Sequence, residues 1–259
     1  MIEINYIATG GYIQYFNLFK ETLCHFFPKV KKVVNVITDA NIEPTYINDD
    51  VVEMRVIHLY DLIYPCINLN KTYLLTQISR GDSEYVFYFD ADTYFNPMND
   101  FFWEKFKERM DDGYFCIGKH PYYSLSDEDE YKERDIEIFF SCMTERDESQ
   151  VSYIDSYYYT YIISSFFCGK RDVFLSVCER ITGMIRQNMT RNGGYRIPLY
   201  MDENYFNRVV YDYEFKGDDT HKFDVREYIL LGNSLNKENM ENAFITQKNY
   251  NKDFKVNRQ

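Results

Sequence analysis

Two aspartates, Asp90 and Asp92, stand at the end of the apolar stretch Tyr85–Phe89. A continuous run of aromatic and β-branched residues is typical of a strand buried on both faces of a parallel sheet. Side chains two residues apart in an extended segment point to the same side, so the pair is predicted to project together from the carboxyl end of the strand. Ligands of open α/β sheets bind at that end. Two hard oxygen donors there suit Mg²⁺ or Mn²⁺ that carries a phosphate.

An Asp-x-Asp motif after such a strand has one structural interpretation and two chemical ones. The structural one is a strand that simply ends in a solvated turn. In haloacid-dehalogenase-type phosphatases the first aspartate accepts a phosphoryl group and the second is a general acid. Asp90, Asp92 and Thr93 fit that pattern, with Gly217-Asp218-Asp219 as a later acidic motif. In nucleotide-sugar transferases both carboxylates hold a divalent metal on the diphosphate, and the metal stabilises the departing nucleotide.

The elements that position this pair alternate between strands and helices. Ile2–Ala8 predicts a strand, and the glycine turn Gly10-Gly11 separates it from a helix whose apolar residues recur at helical spacing up to Phe27. Further strands are predicted at residues 32–39, 51–59 and 85–90, with a helix at 71–80. The alternation predicts an α/β, Rossmann-like, mostly parallel sheet flanked by helices. Three strands thus precede Asp90, whereas the phosphatase strand is normally the first of its sheet.

The second part of the chain continues this pattern around a charged stretch. Helices are predicted at 99–109 and 173–185 and after Asn204, strands at 113–118 and 157–169, and a surface insertion within 124–150. No Pro/Gly linker divides the chain. One domain is therefore expected, with a nucleotide-binding half at 1–95, an acceptor and catalytic half at 96–245, and a basic tail at 246–259.

The overall charge and composition exclude some classes of partner. The net charge is −12, and a phosphate backbone favours clustered Lys and Arg, so neither nucleic acid nor an anionic membrane is expected as the main partner. The six cysteines form no Cys-x-x-Cys pair and are interpreted mostly as reduced core residues. No run of 18 apolar residues and no signal-peptide pattern is present, so a soluble, cytoplasmic protein without a transmembrane segment is expected.

Several short segments, collinear over about residues 6 to 250, match motifs of one enzyme family. They are Ile7–Ile13, Val36–Asp39, Phe89–Asp92, Thr144–Ile154, Tyr158–Gly169, Met201–Asn207 and Gln247–Tyr250. Together they resemble glycosyltransferase family 6, which includes the histo-blood-group ABO transferases and the α1,3-galactosyltransferases. The resemblance implies a GT-A glycosyltransferase fold. It also implies metal-dependent, retaining α1,3-transfer of galactose or N-acetylgalactosamine from a UDP-sugar donor to a galactoside-type glycan acceptor.

The resemblance also implies a role for individual residues. Asp90 and Asp92 bind Mn²⁺, or Mg²⁺ in its place, and Glu203 is the catalytic glutamate. It acts as a nucleophile or as a stabiliser of the oxocarbenium-like sugar, and the sequence does not choose between these roles. The other implied contacts to donor and acceptor are Ile7, Ala8, Thr9 and Tyr12 for the uridine, Lys71, Ala91, Ile163, Ser164, Ser165 and Asp202 for the donor sugar and its phosphates, His120 for the acceptor, and Lys248 for the diphosphate.

The sequence also departs from the family. Ile163-Ser164-Ser165 occupies the triplet that distinguishes UDP-galactose from UDP-N-acetylgalactosamine, and Met201 stands where the family has histidine. Many bacterial relatives carry asparagine in place of both metal-binding aspartates and need no metal, so keeping both predicts metal dependence. Two other hypotheses stay open: the phosphatase, and a carbohydrate-binding protein that kept the fold and lost turnover. Asp202 and Glu203 can also be acidic residues favoured near a helix N-terminus.

Overall fold

A computed structural model of the chain describes residues 1–27, 29–43, 50–59, 66–79, 81–95, 102–120, 144–145, 147–156, 160–190, 201–226, 229–231 and 245–247. Its helices are α1 (Phe16–Phe26), α2 (Cys66–Ile78), α3 (Phe102–Asp111), α4 (Arg171–Thr190) and α5 (Met201–Lys216). Its strands are β1 (Ile2–Ile7), β2 (Lys32–Thr38), β3 (Val51–His58), β4 (Tyr85–Asp90), β5 (Thr93–Phe95), β6 (Tyr114–Lys119), β7 (Ile162–Lys170), β8 (Lys222–Arg226), β9 (Ile229–Leu231) and β10 (Ile245–Gln247). A 3₁₀ helix, Gly10–Tyr15, joins β1 to α1.

Seven strands form one mixed sheet in the order β3-β2-β1-β4-β7-β6-β8. Strands β3, β2, β1 and β4 pair in parallel, and β6 pairs in parallel with β8. Strand β7 runs antiparallel to both of its neighbours, so among these seven strands it alone opposes the direction of the sheet. The predicted α/β, mostly parallel sheet is confirmed, and strands from both predicted halves of the chain take part in it.

Helices cover both faces of this sheet, as in Rossmann-like folds. Helices α1 and α3 pack on one face, against side chains such as Ile4 and Phe87. Helices α2, α4 and α5 pack on the other, against Val86 and Phe167. Strand β4 lies between the two layers, and its residues from Tyr85 to Phe89 are at most 2% exposed. The prediction of a strand buried on both faces is therefore confirmed.

The strand order reverses direction at β1. The chain moves from β1 outward to β2 and β3, and then crosses back to place β4 on the other side of β1. In open α/β sheets such a reversal leaves a crevice between the diverging connections at the carboxyl ends of the strands. Here that crevice lies beyond Ile7 and Asp90, which are partners in the parallel register.

Strand β7 carries a bulge beside this crevice. Ile117 of β6 lies opposite Phe167, whereas the next residue, Gly118, lies opposite Ile163. Residues 164–166 therefore have no matching residues on β6. Bulges re-aim side chains and are common next to functional sites. Because β7 is antiparallel, its first residues rather than its last lie near the carboxyl end of β4.

Several boundaries differ from the sequence-based prediction. Helix α2 begins at Cys66 instead of residue 71, and its Cys66 is exposed, unlike the buried thiols of Cys116, Cys168 and Cys178. Helix α5 begins at Met201, so Asp202 and Glu203 lie in its first turn instead of before it. Of the insertion predicted within 124–150, residues 124–143 and 146 fall outside the described residues, and so does the predicted tail 246–259 after residue 247. No helix of the described ranges is long and apolar enough to cross a membrane.

Candidate active site

A cavity of about 380 Å³ opens at the carboxyl ends of β1, β2 and β4. Its walls include seven residues that the sequence predicts to bind substrate or metal: Ile7, Thr9, Tyr12, Lys71, Asp90, Ala91 and Asp92. Its other wall residues have no predicted role in binding, although the first three lie in the matched segments: Gly10, Gly11, Asp39, Ile67, Asn68 and Tyr88. The predicted Ala8 lies between two wall residues and is fully buried.

The glycine turn after β1 forms one wall. Gly10 has φ +58°, a left-handed conformation that glycine adopts without steric cost. Its N–H donates to both carboxylate oxygens of Asp39, at 2.8 and 3.1 Å. This bond ties the end of β1 to the end of β2. Tyr12, 37% exposed, follows on the cavity wall, where its ring can stack on a flat ligand.

The two aspartates of the motif lie on either side of a turn. Asp90 is the last residue of β4, and the chain turns at Ala91 and Asp92 before β5 begins. The prediction of a continuous extended segment is therefore wrong. The Thr93 hydroxyl donates to the Asp90 carbonyl at 2.6 Å, and the Tyr6 hydroxyl donates to the Ala91 carbonyl at 2.9 Å. The turn that they hold still brings both carboxylates to the wall of one cavity.

Lys71 joins the motif to helix α5. Its ammonium nitrogen lies 3.3 Å from Oδ1 of Asp90 and 2.8 Å from Oδ2 of Asp202. It also donates to the Ser164 carbonyl at 3.3 Å, and it lies 5.0 Å from the ring centroid of Tyr88. The Tyr88 hydroxyl donates to the same Asp90 oxygen. An ammonium group has three N–H donors, and the protein supplies acceptors for all of them.

Charge stabilises this cluster. Burial alone would lower the pKa of Lys71, but the carboxylates of Asp202 and Asp90 outweigh it, so the pKa is raised and the ammonium stays charged. Burial raises the pKa of Asp202, and the ammonium of Lys71 limits that rise. A buried charge needs such partners because its desolvation is otherwise costly.

Glu203 is adjacent to Asp202 and has different partners. The Tyr161 hydroxyl donates to its Oε1 at 2.6 Å, and the Ser164 amide donates to its Oε2 at 3.4 Å. Burial raises the pKa of Glu203 to about 7, and the Tyr161 hydrogen bond opposes that rise. The carboxyl group thus titrates near neutral pH, which is common for groups that take part in catalysis.

Asn207, one turn beyond Glu203, fastens α5 to β7. Its side chain accepts the Ile162 amide hydrogen at 2.9 Å and donates to the Ile162 carbonyl at 3.1 Å. It also donates to the Glu203 carbonyl at 2.9 Å. The bulged strand and the first turn of the helix are thereby held together, which fixes Glu203 beside Ser164.

The predicted donor triplet Ile163-Ser164-Ser165 lies at this bulge. Ile163 packs in the core, and Ser164 contacts both Lys71 and Glu203. The hydroxyl of Ser165 is buried and makes no hydrogen bond within the described residues. The triplet is thus beside the cluster, although it is not among the cavity's wall residues.

His120, the predicted acceptor contact, follows β6. It is buried, its amide donates to the Tyr161 carbonyl at 3.0 Å, and its ring meets the Tyr161 ring edge-on at 5.7 Å. Burial lowers its pKa to about 3, so the ring is neutral at physiological pH. Tyr161 therefore lies between the two residues: it contacts the His120 ring and donates a hydrogen bond to Glu203.

The carboxylates fit a metal that is shared with a ligand. Asp90 and Asp92 offer hard oxygen donors, and no group of three or more His, Cys, Asp or Glu side chains able to hold a metal occurs in the described ranges. Mg²⁺ commonly binds through one or two carboxylates, with substrate phosphates and water completing its shell. The donor set suits a metal–diphosphate complex better than an all-protein metal cage.

One predicted feature lies away from the cluster, and another lies outside the described residues. The Gly217-Asp218-Asp219 motif of the phosphatase hypothesis precedes β8, whose direction matches β4, so it lies at the opposite edge of the sheet from Asp90. There Asp218 is paired with Arg180 at 2.6 Å. Lys248 lies outside the described residues.

The sequence-based prediction found the charged residues of the site but missed the uncharged residues that position them through hydrogen bonds. Tyr88, Tyr161 and Asn207 act through hydrogen bonds to residues of other elements. In a chain with 26 tyrosines, neither tyrosine is distinguished by its type. Asn207 did carry a signal, since it closes the Met201–Asn207 segment. No model of a known protein family matches the chain, and the search of curated proteins finds no significant relative.

Proposed function

We propose that the protein is a metal-dependent, retaining glycosyltransferase of the GT-A type. It transfers galactose or N-acetylgalactosamine from a UDP-sugar to a galactoside-type hydroxyl, in an α1,3 linkage. One observation carries the proposal: Lys71 links Asp90, at the nucleotide-type crevice, to Asp202, the neighbour of the half-buried Glu203. Asp90 and Glu203 thus lie on either side of one buried ion pair, an arrangement that supports a site for both the diphosphate and the sugar of a sugar nucleotide.

The nucleotide fits the wall formed by the glycine turn. Tyr12 offers an exposed ring for the uracil. Gly10 has no side chain and open space beside it, so a ligand can come close to the backbone at Thr9 and Gly10. Aromatic stacking on a base contributes about 1–3 kcal/mol. The reversal of strand order between β1 and β4 is the usual position for a nucleotide in open α/β sheets.

Asp90 and Asp92 hold the metal on the diphosphate. When bound, Mn²⁺ or Mg²⁺ supplies positive charge that stabilises the UDP leaving group. The protein residues keep the two carboxylates in place: Thr93 and Tyr6 fix the turn, and Tyr88 orients Asp90.

Glu203 faces the sugar chemistry. In the transfer, the bond from sugar C1 to the diphosphate oxygen breaks with its electron pair going to UDP, and C1 bonds to the acceptor oxygen, whose proton passes to the departing diphosphate oxygen. A negative group on the face opposite UDP supports retention of configuration, as nucleophile or as stabiliser of positive charge at C1. Glu203 can serve in either role when ionised, and its pKa of about 7 makes the ionised form accessible at neutral pH.

Two other functions make different predictions. A haloacid-dehalogenase-type phosphatase draws little support, since its second acidic motif lies across the sheet from Asp90. A carbohydrate-binding protein without turnover would keep the cavity and the tyrosines. Incubation with UDP-galactose and with UDP-N-acetylgalactosamine in the presence of Mn²⁺ separates the three.

The expected result is Mn²⁺-dependent release of UDP from one of the two donors, with little release of phosphate from p-nitrophenyl phosphate. Phosphate release with neither donor cleaved would support the phosphatase. Glycan binding without either activity would support the binding protein. Either of these results would overturn the proposed transferase.

A further inference from the structure

We infer that Tyr161 is a positioning residue that holds the Glu203 carboxylate in the oriented, charged form that sugar transfer requires. The inference deepens the proposed function and rests on it. Tyr161 precedes β7, is fully buried, and places its hydroxyl 2.6 Å from Oε1 of Glu203. It acts through Glu203 and is not assigned a contact with substrate.

The tyrosine itself is held rigidly. Its carbonyl accepts the His120 amide hydrogen at 3.0 Å, and its ring packs edge-on against the His120 ring. The next residue, Ile162, has both its amide and its carbonyl bonded to Asn207, on the helix that carries Glu203. Donor and acceptor of the Tyr161–Glu203 bond are thus fixed on two elements that are themselves joined. The bond costs little further side-chain entropy.

This arrangement fixes the orientation of the carboxylate. The phenol occupies a lone pair of Oε1, while the Ser164 amide approaches Oε2 at 3.4 Å. A carboxylate has about four lone-pair positions, so positions remain on both oxygens for a reacting sugar. Without the phenol, the side chain loses its shorter hydrogen bond and can rotate.

The phenol also favours the ionised form. A carboxylate accepts the hydrogen bond of a phenol more strongly than a neutral carboxylic acid does, because the acceptor is charged. The charged groups around Glu203 are Asp202 on α5, which opposes ionisation, and Lys71 on α2, which favours it; His120, beyond β6, is neutral. Asp90 on β4 is paired with Lys71 and lies one step further. Tyr161 is the closest group that favours the anion.

The test compares Tyr161→Phe with Tyr211→Phe. Tyr211 is a matched control, because it is a buried tyrosine of α5 whose hydroxyl donates to the carboxylate of Asp155, also at 2.6 Å. The pKa of Glu203 is read from the infrared carbonyl band of its protonated form, assigned by the absence of that band in Glu203→Gln. Transfer is followed in parallel as kcat against pH.

In Tyr161→Phe we expect the pKa of Glu203 to rise by about one unit, because a hydrogen bond to a charged group is lost. The acid limb of the kcat profile should rise with it, while the KM for the UDP-sugar changes little. Tyr211→Phe should change neither. An unchanged pKa and an unchanged acid limb in Tyr161→Phe would overturn the inference.

A second replacement covers the case in which Tyr161→Phe does not fold. Exchange of Tyr161 for 3,5-difluorotyrosine keeps the ring size and makes the phenol a stronger donor, so the pKa of Glu203 should fall. No fall would overturn the inference. The infrared band needs no substrate: a shifted band in a protein that cleaves no UDP-sugar would refute the transferase and leave the positioning role intact.

Discussion

The ammonium nitrogen of Lys71 lies 2.8 Å from Oδ2 of Asp202, and neither side chain is more than 4% exposed. This buried ion pair joins α2 to α5. The same nitrogen reaches Asp90, so one cation balances carboxylates from two elements. A buried pair of this kind stabilises little relative to apolar packing, but loss of one member leaves a charge without compensation.

Lys71→Met should therefore destabilise the fold. The expected loss is about 3–5 kcal/mol in the free energy of unfolding, measured with urea, because Asp202 is left buried and unpaired. Lys216→Met is the control, since Lys216 pairs with Asp155 at 2.9 Å on the exposed surface. Its effect should be much smaller, because exposed ion pairs contribute little. Equal losses in the two variants would contradict the importance of burial.

Glu203→Gln should reduce transfer by roughly 10³-fold or more, since the variant keeps the size of the side chain but cannot carry the charge. Binding of UDP with Mn²⁺, measured by calorimetry, should remain, because Asp90 and Asp92 are unchanged. Glu214→Gln makes the same exchange on an exposed position of α5 and should leave turnover unaltered. Near-normal turnover in Glu203→Gln would rule out its catalytic role.

The raised pKa of Glu203 should appear in the stability of the protein. Folding moves this pKa from an ordinary 4.5 to about 7, so between these values the folded state keeps a proton that the unfolded state has lost. Stability then falls as pH rises through this window, by roughly 3 kcal/mol in total. Urea unfolding at several pH values should show this fall in the wild type relative to Glu203→Gln. Parallel curves would contradict it.

Metal binding should depend on the nucleotide. With two protein carboxylates at the cavity, Mn²⁺ should bind weakly to the free protein and much more tightly with UDP, whose phosphates complete the shell. Asp90→Asn and Asp92→Asn should each weaken the ternary complex by about tenfold or more, measured by Mn²⁺ paramagnetic resonance. Asp219→Asn is the control, since Asp219 is exposed and precedes β8 at the opposite edge of the sheet, and it should leave the ternary complex unchanged. Full transfer activity in EDTA would refute the metal requirement.

The glycine turn allows a comparison of neighbouring positions. A Cβ atom at Gly10 or at Gly11 would meet no atom within 4 Å, but only Gly10 of the two has a positive φ. Gly10→Ala should therefore cost about 1–2 kcal/mol in unfolding free energy and weaken UDP binding, whereas Gly11→Ala should be close to neutral. Similar effects at both positions would show that the backbone conformation of Gly10 is not what matters.

Local patterns were sufficient to predict much of the fold. The run Tyr85–Phe89 predicts a buried strand because a side chain on either face of β4 must be apolar. The alternation of strands and helices up to residue 95 predicts parallel strands, because a crossover helix returns the chain to the same edge of the sheet before the next strand begins. The antiparallel course of β7 has no such local signature, since it depends on which strand lies beside it.

The charged members of the site were predictable, but their arrangement was not. Asp90 and Glu203 were singled out by type and by their neighbours in the sequence, whereas the Lys71–Asp202 pair joins residues 131 positions apart. The extended geometry expected for Asp90 and Asp92 failed because two hydrogen bonds, one from Tyr6 of β1, impose a turn. Tyr6 can be recognised as a partner of Ala91 only when β1 is known to pair with β4.

The long separation between β4 and β7 along the chain has a consequence for the order of assembly. A growing chain acquires Lys71 and Asp90 more than a hundred residues before Asp202 and Glu203, and the two groups meet only when α5 docks on the bulged strand. Contacts between distant residues form late because they require closure of long loops. Glu203 is therefore positioned beside the Lys71 ion pairs only late in folding, and the proposed transfer would require that α5 has docked on β7.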